Sequence, residues 1–258
     1  MSKLLSNERD PEIKWNPWLG VLYAILVFVV AQVLGLVIII YPLIIRHWTL
    51  KQTLNWLSVS SYGQFFYVVF FEAIVVGIIL YILKLYRVDK KAIGLRRPRS
   101  KDALYGLAGL FVYYLIFILA VIVVSYFVKG FNVNQKQNVG FNNVHGSAQL
   151  IIVFFSLVIV PPIAEEILFR GFLYSSLKKG LPIFGAAIVT SLIFASGHLT
   201  EGVGGLLWIG ALDTFVLSMV LVYLREKTNG LWAGMLVHAL KNGIAFYLIY
   251  IAPLMLFH

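Results

Sequence analysis

ALYGLAGLFVYYLIFILAVIVVSYFV, residues 103–128, runs for 26 residues without a charged side chain. At 1.5 Å per residue a helix of that length extends about 39 Å, enough to cross the roughly 30 Å hydrocarbon core of a bilayer with some tilt. Lipid offers a bare backbone no hydrogen bonds, so a segment that spans it must pair its own N–H and C=O groups, as a helix does. Working outward, comparable runs occupy 18–45, 63–86, 148–177, 182–198, 206–224 and 231–257, and Gly243 offers a break in the last. The pattern predicts an all-α, polytopic transmembrane bundle of seven or eight helices.

Composition points the same way. Of 258 residues, 60% are apolar and 12% charged, against roughly 45–50% and about 25% in a soluble domain. Disordered, collagen-like and soluble nucleic-acid-binding classes drop out, the last despite a net charge of +10. The absence of cysteine rules out a disulfide framework, a thiolate metal site and a cysteine nucleophile. Residues 1–17 are polar, and the first apolar run carries no small-residue cleavage site. That reads as a tail before an uncleaved signal anchor.

The basic residues set the expected orientation. Lys84, Arg87, Lys90, Lys91, Arg96, Arg97, Arg99 and Lys101 crowd the loop between the second and third runs, while the adjoining loops hold only Arg46 and Lys51, then Lys129 and Lys136. Because Lys and Arg are retained in cytoplasmic loops, the basic loop and the N-terminal tail are expected in the cytoplasm. Membrane lipids are the natural contact for this loop. A nucleic-acid partner is not expected, since no aromatic residue interleaves the basic ones from 87 to 101. Residues 129–146, rich in Asn and Gln, read as a polar loop outside the membrane. Three parts follow: the tail 1–17, the first three helices with their loops at 18–147, and a last part, 148–258.

That last part holds most of the polar groups buried in apolar sequence. Glu72, Glu165, Glu166 and Asp213 are carboxylates in such runs, joined by Arg170, His198, His238, Lys241 and Asn242. A charge in the bilayer centre costs several kcal/mol on most scales, so these groups should face the protein interior and mark function. Glu166 and Arg170, four apart, can pair on one helical face. Glu165 points about 100° away and is therefore free to face another partner as a general base. His238 and Asn242, also four apart, offer two neighbouring donors suited to a developing oxyanion. His198 can orient water or protonate a leaving amine. Glu72 and Asp213 read as structural partners within the bundle.

Glu-Glu-x-x-x-Arg at 165, 166 and 170, Phe-x-x-x-His at 194 and 198, and His-x-x-x-Asn at 238 and 242 resemble, in order, the three signature motifs of the CPBP family. This family comprises type II CAAX prenyl proteases and the bacteriocin-processing or immunity (Abi) proteins. The resemblance covers roughly residue 150 to the C-terminus and makes 148–258 the catalytic core. It implies an eight-helix intramembrane glutamate endopeptidase of a bacterial cell membrane, acting on a membrane-associated or hydrophobic peptide. Glu165 and His198 would activate water, and His238 and Asn242 would form the oxyanion site. Glu166 and Arg170 would support them, and Phe194 would shape the pocket. No cofactor is implied. A zinc ion is the alternative, because one glutamate and two histidines can supply three ligands. A non-catalytic immunity or transport-like protein that uses the same cluster for binding is the rival reading. The zinc site-2, rhomboid and presenilin signatures are absent.

Depth poses a problem. If 148–177 is one helix entering from outside, Glu165 lies about 26 Å in, whereas His198 lies about 24 Å from the cytoplasmic end of the next helix. Those positions approach opposite faces. Pro161-Pro162 suggests one escape, a helix that restarts near Ile163 and turns back; a tilted or kinked single helix is the other.

Overall fold

The computed structural model describes residues 12–256, so most of the expected N-terminal tail, with Lys3 and Arg9, lies outside the described residues, as do Phe257 and His258. The described chain is all-helical. Seven helices are long and apolar enough to span a membrane: α1 (Pro17–Ile45), α3 (Ser61–Leu85), α4 (Ser100–Phe127), α5 (Gly146–Leu177), α6 (Ile183–Glu201), α7 (Trp208–Thr228) and α8 (Trp232–Met255). An eighth, α2 (Leu50–Val59), is too short to span and starts with a capping box between Thr49 and Gln52. No break occurs at Gly243, which lies inside α8.

Two apolar layers meet along α7 and α8, which contribute to both. One gathers Ala24 and Ala31 of α1, Val75 and Ile79 of α3, and Leu168 and Phe172 of α5. The other joins Tyr113 of α4, Leu217 and Leu221 of α7, and Ala233 and Val237 of α8. Small residues let the helices close up where lipid gives no hydrophobic drive to do so. A Cβ on Gly106 would come within 2.8 Å of Leu236, and one on Gly109 within 2.8 Å of Leu224.

The two ends of the bundle differ. At one end the basic loop folds inward: Arg96 Nη1 donates to Asp102 at 2.8 Å, Arg96 Nη2 donates to the Thr228 carbonyl at 2.8 Å, and Lys178 pairs with Glu226 at 2.7 Å. At the other end the polar loop after α4 is tied to the residues following His198. Gln137 bridges to Gly202, the Asn138 amide donates to the Glu201 carbonyl at 2.7 Å, and Gln135 Nε2 donates to Leu206 O at 2.8 Å.

The conflict of depth dissolves without a reversed helix. Helix α5 has 32 residues, about 48 Å of helix, longer than the roughly 30 Å hydrocarbon core, so distance from its outer end overstates how deep Glu165 lies. Counted from the basic end shared by α5 and α6, Glu165 stands 12 residues before Leu177 and His198 15 residues after Ile183. These are rises of about 18 and 22 Å, close to one level.

The restart at Ile163 is thus not what occurs. The helix continues through Pro161-Pro162 as π-type turns at Phe155–Ile159 and Glu166–Leu173 flanking a short α-helical stretch. The prolines lack N–H groups, so the Leu157 carbonyl, four residues before one and five before the other, has no helical donor. Asn242 Nδ2 supplies it at 2.9 Å.

Candidate active site

At the seam between the layers, α5, α6 and α8 bring Glu165, Glu166, Arg170, Phe194, His198, His238 and Asn242 into one neighbourhood. Glu166 and Arg170 are essentially sealed from solvent and pair at 2.9 Å, the i, i+4 contact expected from their spacing. Arg170 also lies over the face of Phe194, its Cζ 4.2 Å from the ring centroid. A desolvated cation–π contact of this kind contributes about 2 kcal/mol. Phe194 therefore holds Arg170 as well as shaping the pocket, a contact that spacing alone does not disclose.

Glu165 does face a partner other than Arg170, but it shares that partner with Glu166. His238 stands between them, its Nδ1 3.2 Å from Glu166 Oε1 and its Nε2 3.7 Å from Glu165 Oε2. The 100° between neighbouring side chains is bridged because an imidazole has nitrogens on two sides, and α8 presents its edge to both carboxylates. Only a protonated Nδ1 can bond to an ionised Glu166, so this contact fixes the ring's orientation and leaves Nε2 to the cavity. His198 is held likewise: its Nδ1 donates to the Phe194 carbonyl at 3.0 Å, leaving Nε2 uncommitted.

Glu165 and His198 line two cavities. One, about 110 Å³, continues past His238, Lys241 and Asn242 to Gln137 and Val139 of the polar loop. The other, about 130 Å³, runs between α1, α3 and α6 and is walled by Phe28, Phe71 and Phe169. Glu165 Oε2 is buried with no hydrogen-bond partner among the described residues. Asn242 lines the first cavity with one amide hydrogen already given to Leu157, so a second remains.

Asp213 does pair within the bundle, with Lys241 Nζ at 2.8 Å and with the Tyr113 hydroxyl. Glu72 does not: among the described residues it has neither a hydrogen bond nor an ion pair, and it lines the second cavity with Glu165 and His198. The reading of Glu72 as a structural partner is corrected accordingly. Zinc fits poorly, since no three His, Asp or Glu side chains among the described residues converge as a metal would require.

Residues 147–244 match the model of a family described as Type II CAAX prenyl endopeptidase Rce1-like, and this segment is a domain of that family. It contains every residue of the three motifs. The chain is also 25% identical over 103 residues to UPF0177 protein YxdF of Lactococcus lactis subsp. lactis (strain IL1403), a stretch covering 40% of this chain and 53% of that protein. The chain thus spans about half the length of this curated relative. No solved structure matches it.

Proposed function

We propose that the protein is an intramembrane endopeptidase that hydrolyses a peptide bond of a membrane-associated protein or hydrophobic peptide with water activated by Glu165. The observation that carries this reading is the buried Oε2 of Glu165, which has no hydrogen-bond partner among the described residues, on a cavity shared with His198, His238 and Asn242. A purely structural carboxylate in lipid would be expected to have its oxygens satisfied.

In the proposed reaction a water bonded to Glu165 gives it a proton and attacks the substrate carbonyl carbon. The carbonyl oxygen becomes an oxyanion beside Asn242, whose free amide hydrogen donates to it, and beside His238. Because Nδ1–H of His238 is committed to Glu166, Nε2 donates only when the ring carries its second proton, with the Glu166 carboxylate as counter-charge. As the tetrahedral intermediate collapses, the C–N bond breaks and the proton taken by Glu165 passes through His198 Nε2 to the leaving amine, returning Glu165 to its carboxylate. Glu166 and Arg170 hold His238 in place throughout. No step needs a metal. Retention of basic residues in the cytoplasm orients the basic end inward, so that the first cavity opens toward the outer face. Roles in bacteriocin processing or self-immunity are compatible with this chemistry.

The test compares membrane peptides in cells producing the wild-type protein, Glu165→Gln and His198→Ala, by mass spectrometry with stable-isotope labels. Cleavage products present with the wild type should fall at least about 100-fold in both variants while the proteins remain in the membrane at equal levels. Products that persist in Glu165→Gln would leave the rival, a non-catalytic binding protein, as the better account. The wild-type assay repeated in chelator should lose nothing; a loss would bring zinc back.

A further inference from the structure

The second cavity has a feature that hydrolysis alone does not use. Glu72, from the middle of α3, is 93% buried, being 7% exposed, yet has no partner among the described residues. It shares this cavity with Glu165 and with Glu201 at the end of α6. Glu201 is engaged by Gln137 Nε2 at 2.6 Å. No lysine or arginine lines the cavity, and the nearest buried cation in the motif cluster, Arg170, is committed to Glu166 and Phe194. A chain of net charge +10 has thus gathered carboxylates, without a cation, beside its attacking group. His198 and Gly197 also line it, and the other walls are Phe28, Phe71, Val75, Leu168, Phe169 and Phe194.

An apolar sleeve with an unpaired carboxylate in its wall matches one kind of side chain, an aliphatic stem ending in a cation. The stem packs against the phenylalanines, and the tip meets Glu72 in a charge-assisted hydrogen bond. We infer that Glu72 forms a specificity subsite for a lysine or arginine side chain of the substrate, adjacent to the bond attacked from Glu165. The inference rests on Glu165 being the hydrolytic centre, and it supplies what that centre lacks, a reason to select one peptide over another.

The test uses the purified full-length protein in detergent with two fluorescent leucine–alanine peptides that differ at one central position, lysine against norleucine. Binding is measured on Glu165→Gln, which cannot turn over, and cleavage on the wild type. The lysine peptide should bind at least about tenfold more tightly, and adding Glu72→Gln should remove that difference while leaving norleucine binding unchanged. Glu72→Gln should melt no lower than the wild type, because the buried carboxyl it replaces has no partner among the described residues; a carboxyl used for packing would give a lower melting temperature. Equal binding of the two peptides, no measurable binding of the lysine peptide, or a lysine preference that survives Glu72→Gln overturns the subsite. A cleavage defect of Glu72→Gln equal for both peptides with an unchanged binding ratio also overturns it and makes Glu72 a proton carrier. Glu72-dependent lysine selectivity in binding, with no cleavage of either peptide by the wild type, counts against the protease reading and leaves the subsite intact.

Discussion

Glu166 occupies the most constrained position in the cluster, accepting from Arg170 at 2.9 Å and facing His238 Nδ1 at 3.2 Å, with both carboxylate and guanidinium out of solvent. Two further donors of Arg170, Nε and Nη2, have no hydrogen-bond partner among the described residues, so the ion pair and the Phe194 ring carry the burden of burying this charge. Removing one partner of such a pair strands the other, at a cost of about 3–5 kcal/mol, whereas removing both together costs far less. Arg170→Met is therefore expected to lower the unfolding temperature in detergent sharply, and Glu166→Gln combined with Arg170→Met to recover at least about half of that loss. Additive losses in the double variant would mean that the pair is not the dominant contact of either residue. The pair was legible in the sequence because four-residue spacing is a local property of a helix. The convergence of both glutamates on His238 was not, since it depends on how α8 faces α5. Glu72 had no motif to announce it, being a single carboxylate in an apolar helix whose significance comes from what lies across the cavity.

At the scale of elements, hydropathy located all seven spans to within a few residues at their ends, because a bilayer imposes length and polarity on each helix separately. Helix α2 was missed for the converse reason: ten residues of mixed polarity satisfy no membrane criterion. Continuity through Pro161-Pro162 was also beyond local rules, which favour a break, since the compensating donor comes from Asn242, 85 residues from the carbonyl it satisfies. This account couples α8 to α5 in a measurable way. Asn242→Ala should cost about 1 kcal/mol of stability through the bared Leu157 carbonyl. Pro161→Ala restores a backbone N–H four residues on, so in that background Asn242→Ala should cost less than half as much, read from thermal unfolding of the four proteins in the cycle. An equal cost in both backgrounds would mean that the Leu157 carbonyl does not depend on Asn242.

For the whole molecule, the separation of charge predicts which way the candidate site faces. Lys14, the loop from Lys84 to Lys101, Lys178, Lys179, Arg225 and Lys227 belong to one end of the bundle, and Arg46, Lys51, Lys129 and Lys136 to the other. The first cavity reaches the polar loop at the sparsely charged end through Gln137 and Val139. If basic residues are retained in the cytoplasm, this opening is expected to face outward, toward peptides arriving from outside or from the outer leaflet. The chain's lack of cysteine makes the orientation directly testable, since a single introduced thiol is the only one present. Asn134→Cys, exposed in the polar loop, should react with a membrane-impermeant maleimide in intact cells, and Lys90→Cys, exposed in the basic loop, only after the membrane is opened. The reverse pattern would turn the cavity to the cytoplasm and confine its substrates to proteins made and held there.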